Sequence, residues 1–121
     1  MTMIRVVIES PFAGKGDTQA ERTADEARNL TYLRACMADC LRRGEAPFAS
    51  HALYTQPGVL DDNRPIEREL GIVAGFAWRD VADRTVVYTD LGISKGMQYG
   101  VDDADRKRRP VEYRTLMGWV P

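Results

Sequence analysis

Histidine and cysteine are scarce in this sequence, with one His and two Cys in 121 residues. Two thiols cannot build a disulfide framework. Together with His51 they also fall short of the four ligands, at short loop spacings, that a structural zinc ion needs. Cys36 and Cys40 lie four apart in a helical pattern, so they share a face and read as free thiols of a core. Neither has a Cys-His-Asn setting, and no metal and no cofactor are expected. An excess of charge is missing too. Seventeen Lys and Arg against 18 Asp and Glu leave a net charge of -1, and no global field draws the chain toward nucleic acid or an anionic membrane. Long apolar runs are absent, and nothing approaches the roughly 20 residues of a membrane-spanning helix. The N-terminal stretch MTMIRVVIES enters a strand-like run with no signal-peptide pattern, so a cytoplasmic location is expected.

What is present is ordinary for a globular chain: 44% hydrophobic and 29% charged residues. The length suits one domain, residues 1–121, able to bury about two-thirds of the surface its unfolded chain exposes. Met3 to Ile8 is β-branched and apolar on both parities, as expected of a strand covered on two faces. A loop with Pro11, Gly14 and Gly16 leads to a helical pattern from about Asp25 to Arg43, closed by Gly44. Pro47 to Leu53 reads as a second strand, followed by turn chemistry at Pro57-Gly58 and Asp61-Asp62-Asn63. Pro65 suits the first position of a helix running to about Ala82. That helix has a stripe of Ile66, Leu70, Val73, Ala77 and Val81, expected to face the sheet. Its second flank, Ile72, Phe76 and Trp78, suggests cover from another subunit. Thr85 to Tyr88, Ser94 to Lys107, and Pro110 to Met117 supply a third strand, a third helix and a fourth strand. Trp119 near the end reads as exposed, a further hint of a partner surface.

Strands alternating with helices predict a single-domain α/β fold of the flavodoxin or Rossmann type. It would have three layers around a mostly parallel sheet of about four or five strands. With strand order 2-1-3-4, a ligand crevice lies past the carboxyl ends of the first and third strands. Two loops meet there, Glu9-Ser-Pro-Phe-Ala-Gly14 and Asp90-Leu-Gly-Ile-Ser-Lys-Gly96. Both are rich in glycine and small residues, so backbone can approach a ligand. Ser94 opens a helix whose free amides can hold a phosphate or ribose oxygen, although it is equally well placed as a plain N-cap. Glu9 is either a stand-in acid, a holder of a ribose hydroxyl, or a strand-end charge facing water. His51, with Tyr54 and Gln56 after it, is either a ligand contact or a satisfied imidazole at a strand end. The cluster Arg106-Lys-Arg-Arg109 complements a helix C-terminus, and no nucleic-acid or membrane role is expected of it.

Along most of its length the chain resembles the nucleoside 2-deoxyribosyltransferase-like group, including its short phage-type members. The resemblance is carried by Ile8-Glu-Ser-Pro-Phe-Ala-Gly14, Asn29-Leu-Thr-Tyr32, Ala46-Pro-Phe-Ala-Ser-His51, Glu67-Arg68, Ala82-Asp83 and Ile93-Ser-Lys-Gly-Met97. It implies a crevice for a nucleoside or nucleotide, with Ser10, Pro11, Phe12 and Gly14 under the base and Phe12 matching an aromatic contact. It further implies that Asp83 and Asp90 handle base and ribose, and that His51, Tyr54, Ser94, Gly96 and Met97 complete the site. Family members are usually oligomers that complete one another's sites, so a dimer or larger homo-oligomer is expected. The transferases carry a nucleophilic Glu three residues after the position of Met97, and here that residue is Gly100. The leading expectation is therefore a nucleoside- or nucleotide-binding protein without the usual chemistry. The alternative is an N-glycosidase or deoxyribosyltransferase using Asp103, Asp102 or Glu9, with Asp90 assisting. A third reading is a non-catalytic assembly module.

Overall fold

The computed structural model describes residues 2–119. The elements run β1 (Ile4–Glu9), α1 (Gln19–Arg42), β2 (Glu45–Phe48), α2 (Ser50–Leu53), α3 (Pro65–Arg79), β3 (Arg84–Tyr88), α4 (Lys95–Arg106) and β4 (Val111–Arg114). Four strands form one sheet in the order β2-β1-β3-β4, every pair parallel. This is a three-layer Rossmann- or flavodoxin-like α/β fold, with helices on both faces of the sheet.

The two faces explain the unbroken apolar runs of the central strands. Val6, Ile8, Val86 and Tyr88 pack with Tyr32, Leu33, Cys36 and Cys40 of α1. Val87 points the other way, onto Met97 and Val101 of α4. Each fully buried aliphatic side chain here contributes roughly 1.5–3 kcal/mol relative to exposure. The thiols of Cys36 and Cys40 are free and buried within the first cluster.

Several elements depart from the sequence pattern. α1 begins at Gln19, about six residues before the first clear apolar spacing, because Thr18 accepts the Glu21 N–H and caps it. β2 is earlier and shorter than Pro47–Leu53. It pairs with β1 only through Phe48, and Ser50 to Leu53 turn into a short helix. β4 stops at Arg114, where β3 has no further residue to pair with. Trp119 does not stand in solvent. It packs edge-on against Tyr32, ring centroids 4.8 Å apart.

The faces of α3 are the reverse of those expected. Ile66, Leu70, Val73 and Val81 are 84%, 58%, 55% and 54% exposed, so the regular stripe points outward. The inner face holds Gly75, which fits against Ser50, and Arg79, which is 2% exposed. Ile72 and Phe76 of the second flank are half-buried and line a cavity of the same chain, and Trp78 is half exposed. With a glycine and a paired cation between them, this side carries a weaker apolar signature than the outer stripe, which is why the outer stripe looked like the core side.

Candidate functional site

A cavity of about 400 Å³ opens past the carboxyl ends of β1 and β3, at the predicted crevice. Its walls come from residues far apart in the chain: Glu9 at the end of β1 and Phe12 after it, His51 on α2, Arg68 and Phe76 on α3, and Ser94, Lys95, Gly96, Tyr99 and Gly100 around the start of α4.

The β1–α1 loop is held in place by hydrogen bonds to α1. Buried Asn29 donates through Nδ2 to the carbonyl of Phe12 at 3.0 Å and to that of Ala13 at 3.4 Å. Asp25 accepts the Lys15 N–H at 2.8 Å and pairs with Arg28 at 2.5 Å. At Gly14 a Cβ would overlap the Arg22 carbonyl, so only glycine lets the loop lie this close to α1. Fixed in this way, the Phe12 ring stacks on His51 with centroids 4.7 Å apart and planes 8° from parallel. Burial, aided by nearby Arg68, pushes the His51 pKa down to about 4. The imidazole is therefore neutral at pH 7, a flat face with one donor and one acceptor nitrogen.

Glu9 forms the acidic part of the wall. Its carboxyl group lies against Gly100, in the volume that a Cβ at position 100 would take. Arg79 donates to it from beneath. Burial pushes the Glu9 pKa up to about 7, with Arg79 pulling it back and Asp103 adding a smaller upward push. A carboxyl group raised toward neutrality is suited to giving or taking a proton.

The rim is charged. Lys15, Arg28, Arg68 and Lys95 line the cavity, against Asp25 and Asp62. Ser94 caps α4 by accepting the Met97 N–H at 3.2 Å, so its hydroxyl serves the helix while the residue also borders the cavity.

Of the residues expected at the site, Glu9, Pro11, Phe12, His51, Ser94 and Gly96 come together here, as does Gly100. The others lie elsewhere. Ser10 is buried off the cavity, and Gly14 borders a smaller groove beside α1. Tyr54 accepts the Trp78 indole N–H at 3.0 Å in a neighbouring recess. Met97 is core. Asp83 precedes β3, at the opposite end of the sheet, where it accepts the Arg5 N–H at 2.7 Å. Asp90 accepts the Tyr32 hydroxyl at 2.5 Å and the Leu116 N–H at 3.0 Å, tying the chain after β4 to α1. Asp102 is exposed and accepts from Gln98. Asp103 is 2% exposed and lies among Arg79, Arg106 and Lys107, outside the cavity lining.

Sequence reasoning missed Arg79, the rim cations and Tyr99 as site residues, and it assigned Phe76 to a flank covered by another subunit, where it lines the cavity. Lys95 lies within the 90–96 loop, and its place at the α4 N-terminus was a usable signal. Arg79 gave none, since nothing local distinguishes a buried Arg from a solvated one.

Among the described residues no group of His, Cys, Asp and Glu is arranged to hold a metal ion. No helix of the described residues is long and apolar enough to cross a membrane. A family model described as a domain of unknown function (DUF7768) matches residues 4–114. No curated protein and no solved structure matches the chain.

Proposed function

The chain belongs to the DUF7768 family, and we propose that its cavity binds a nucleoside or nucleotide and acts on the N-glycosidic bond through Glu9. The observation that carries this reading is the Glu9 carboxyl group lying over Gly100. The transferases that the sequence resembles keep an acid on the helix at the position of Gly100. In this chain the first strand sets a carboxyl group directly against that helix position. Asp103 and Asp102 are poorer candidates, one saturated by cations and the other on the outer surface.

The remaining contacts suit such a ligand. The Phe12–His51 pair offers a flat face for a base, and neutral His51 can give or accept a hydrogen bond at its edge. Lys15, Lys95 and the α4 N-terminus favour an anionic group such as a phosphate. In the reaction, the bond between the anomeric carbon and the base nitrogen breaks and its electron pair leaves with the base. Ionised Glu9 stabilises the positive charge developing on the sugar. Water then adds its oxygen to the anomeric carbon and its proton ends on the base, so the products are a free sugar and a free base.

One observation favours a second reading, binding without turnover. Arg79 already engages Glu9, which lowers its nucleophilicity. Incubating the protein with nucleosides and 5′-nucleotides separates the two readings. Base release seen by chromatography and lost in Glu9→Gln supports cleavage. A thermal shift without base release supports binding alone, and neither result on any ligand would favour an assembly module.

The outward stripe of α3 points to assembly as well. Ile66, Leu70, Val73 and Ala77 repeat at alternating steps of four and three, the spacing of a self-complementary helix seam. A second copy of the chain, packed helix to helix, is the proposed occupant.

A further inference from the structure

Arg79 lies where α3, β1, β3 and α4 converge, and its whole guanidinium is used inside the protein. Nε donates to Thr85 at 2.9 Å, one terminal nitrogen to Asp103 at 3.3 Å, and the other to Glu9. The two acids depend on it unequally. Asp103 also faces Arg106 at 3.4 Å and Lys107 at 3.2 Å, so it keeps cationic partners without Arg79. Among the described residues Glu9 forms an ion pair with Arg79 alone. A planar fork anchored at Thr85 and Asp103 has a fixed direction, so its third arm presents the Glu9 carboxyl group in one place. A lysine, with a single flexible charge, cannot hold three partners on three elements.

We infer that Arg79 is the positioning residue of this cavity, holding Glu9 over Gly100 and turned toward the ligand by a fork that it shares with Asp103. This rests on the reading that Glu9 is the acid the ligand meets. It adds the reason why a buried acid on β1 can occupy the space above α4 in a single orientation. The ion pair also makes Asp103, which never meets the ligand, a competitor for the same cation.

Carbon-13 NMR titration of the Glu9 carboxyl group tests this without any ligand. The charged and titratable groups around Glu9 are Arg79 from α3, Asp103 from α4 with Arg106 and Lys107 behind it, and, around the cavity, Lys15, Asp25, Arg28, His51, Asp62, Arg68, Lys95 and Tyr99. Asp103→Asn leaves Arg79 wholly to Glu9 and removes a like charge, so the Glu9 midpoint falls. Arg79→Gln removes the attracting cation, so the midpoint rises by about one unit or more. Opposite shifts are the expected result. Shifts of the same sign, or a midpoint that neither variant moves, overturn the inference. Should Arg79→Gln fail to fold, Thr85→Val removes only the Nε anchor and must also move the Glu9 midpoint upward. A fixed midpoint in Thr85→Val is equally fatal. Calorimetry with nucleoside 5′-monophosphates on the same variants tests the functional reading separately. No binding by the unsubstituted protein defeats that reading and leaves the titration to decide the role of Arg79.

Discussion

The carboxyl group of Glu9 fills the space next to the α-carbon of Gly100, so a side chain at position 100 and Glu9 in its present place exclude one another. Glu9 ends the first strand and Gly100 sits in the second turn of the last helix. Their contact closes one wall of the cavity and explains a glycine inside a helix, where it costs up to about 1 kcal/mol relative to alanine.

Gly100→Ala is expected to destabilise the protein by about 1–3 kcal/mol, since the new methyl group forces Glu9 off its site. In a Glu9→Ala background the same substitution becomes neutral or stabilising, because the obstruction is gone and a helical glycine is removed. Urea unfolding of the four proteins in this cycle measures the coupling. Additive effects would show that the two residues do not share space in solution.

Acid–base behaviour separates Glu9 from His51. Glu9 has a native pKa raised from 4.5 to about 7, so the folded state holds a proton that the unfolded chain has released. Its contribution is present below pH 4.5 and is lost as pH rises toward 7. His51 runs the other way. Its pKa drops from 6.5 to about 4, so its contribution is lost as pH falls from 6.5 toward 4. In the unsubstituted protein the two slopes nearly cancel. Glu9→Gln is expected to leave stability rising with pH across this window, and His51→Asn to leave it falling, each by up to about 3 kcal/mol. Thermal unfolding at pH 4.5, 6 and 7.5 reads both signs.

Asp90 is expected to matter for stability and not for the ligand. Asp90→Ala frees the Leu116 N–H and the Tyr32 hydroxyl, and is expected to cost about 1–3 kcal/mol of folding stability. Nucleotide affinity, measured by calorimetry well below the melting point, should stay within about twofold. A loss of tenfold or more would return Asp90 to the binding site.

Phe12→Ala removes the ring on which His51 is stacked and is expected to abolish the nucleotide-dependent rise in melting temperature. Base stacking on an aromatic ring is worth about 1–3 kcal/mol. Phe12→Tyr, which keeps the ring, should restore most of the shift.

Leu70→Arg places a charge in the middle of the exposed α3 stripe. Sedimentation velocity is expected to show the unsubstituted chain as a dimer or larger assembly and the variant as a monomer. A monomeric unsubstituted chain at 100 µM or so, well above the Kd of any stable interface, would remove the proposed seam.

Much of the fold was legible because parallel strands buried on two faces are written as short β-branched runs, and Ile4–Glu9 and Arg84–Tyr88 are such runs. The crevice followed from strand order, and its Phe12, His51 and Ser94 contacts from the loops at the strand ends. The failures share a cause. Arg79 and Gly75 make the inner face of α3 from a paired charge and an absent side chain, so apolar periodicity pointed to the wrong side of that helix. Asp83 and Asp90 flank one strand in sequence, yet a five-residue strand puts its two ends some 15 Å apart, so both could not serve one ligand. Glu9 looked like one acid among several, because the glycine that makes room for it lies 91 positions later in the chain.

The cavity draws its walls from residues between Glu9 and Gly100, and no excised fragment would retain it. Any molecule bound there must leave before the sheet can come apart. Occupancy would thus act as a clamp on the entire domain, adding roughly 1.4 kcal/mol for each tenfold excess of free ligand over its dissociation constant.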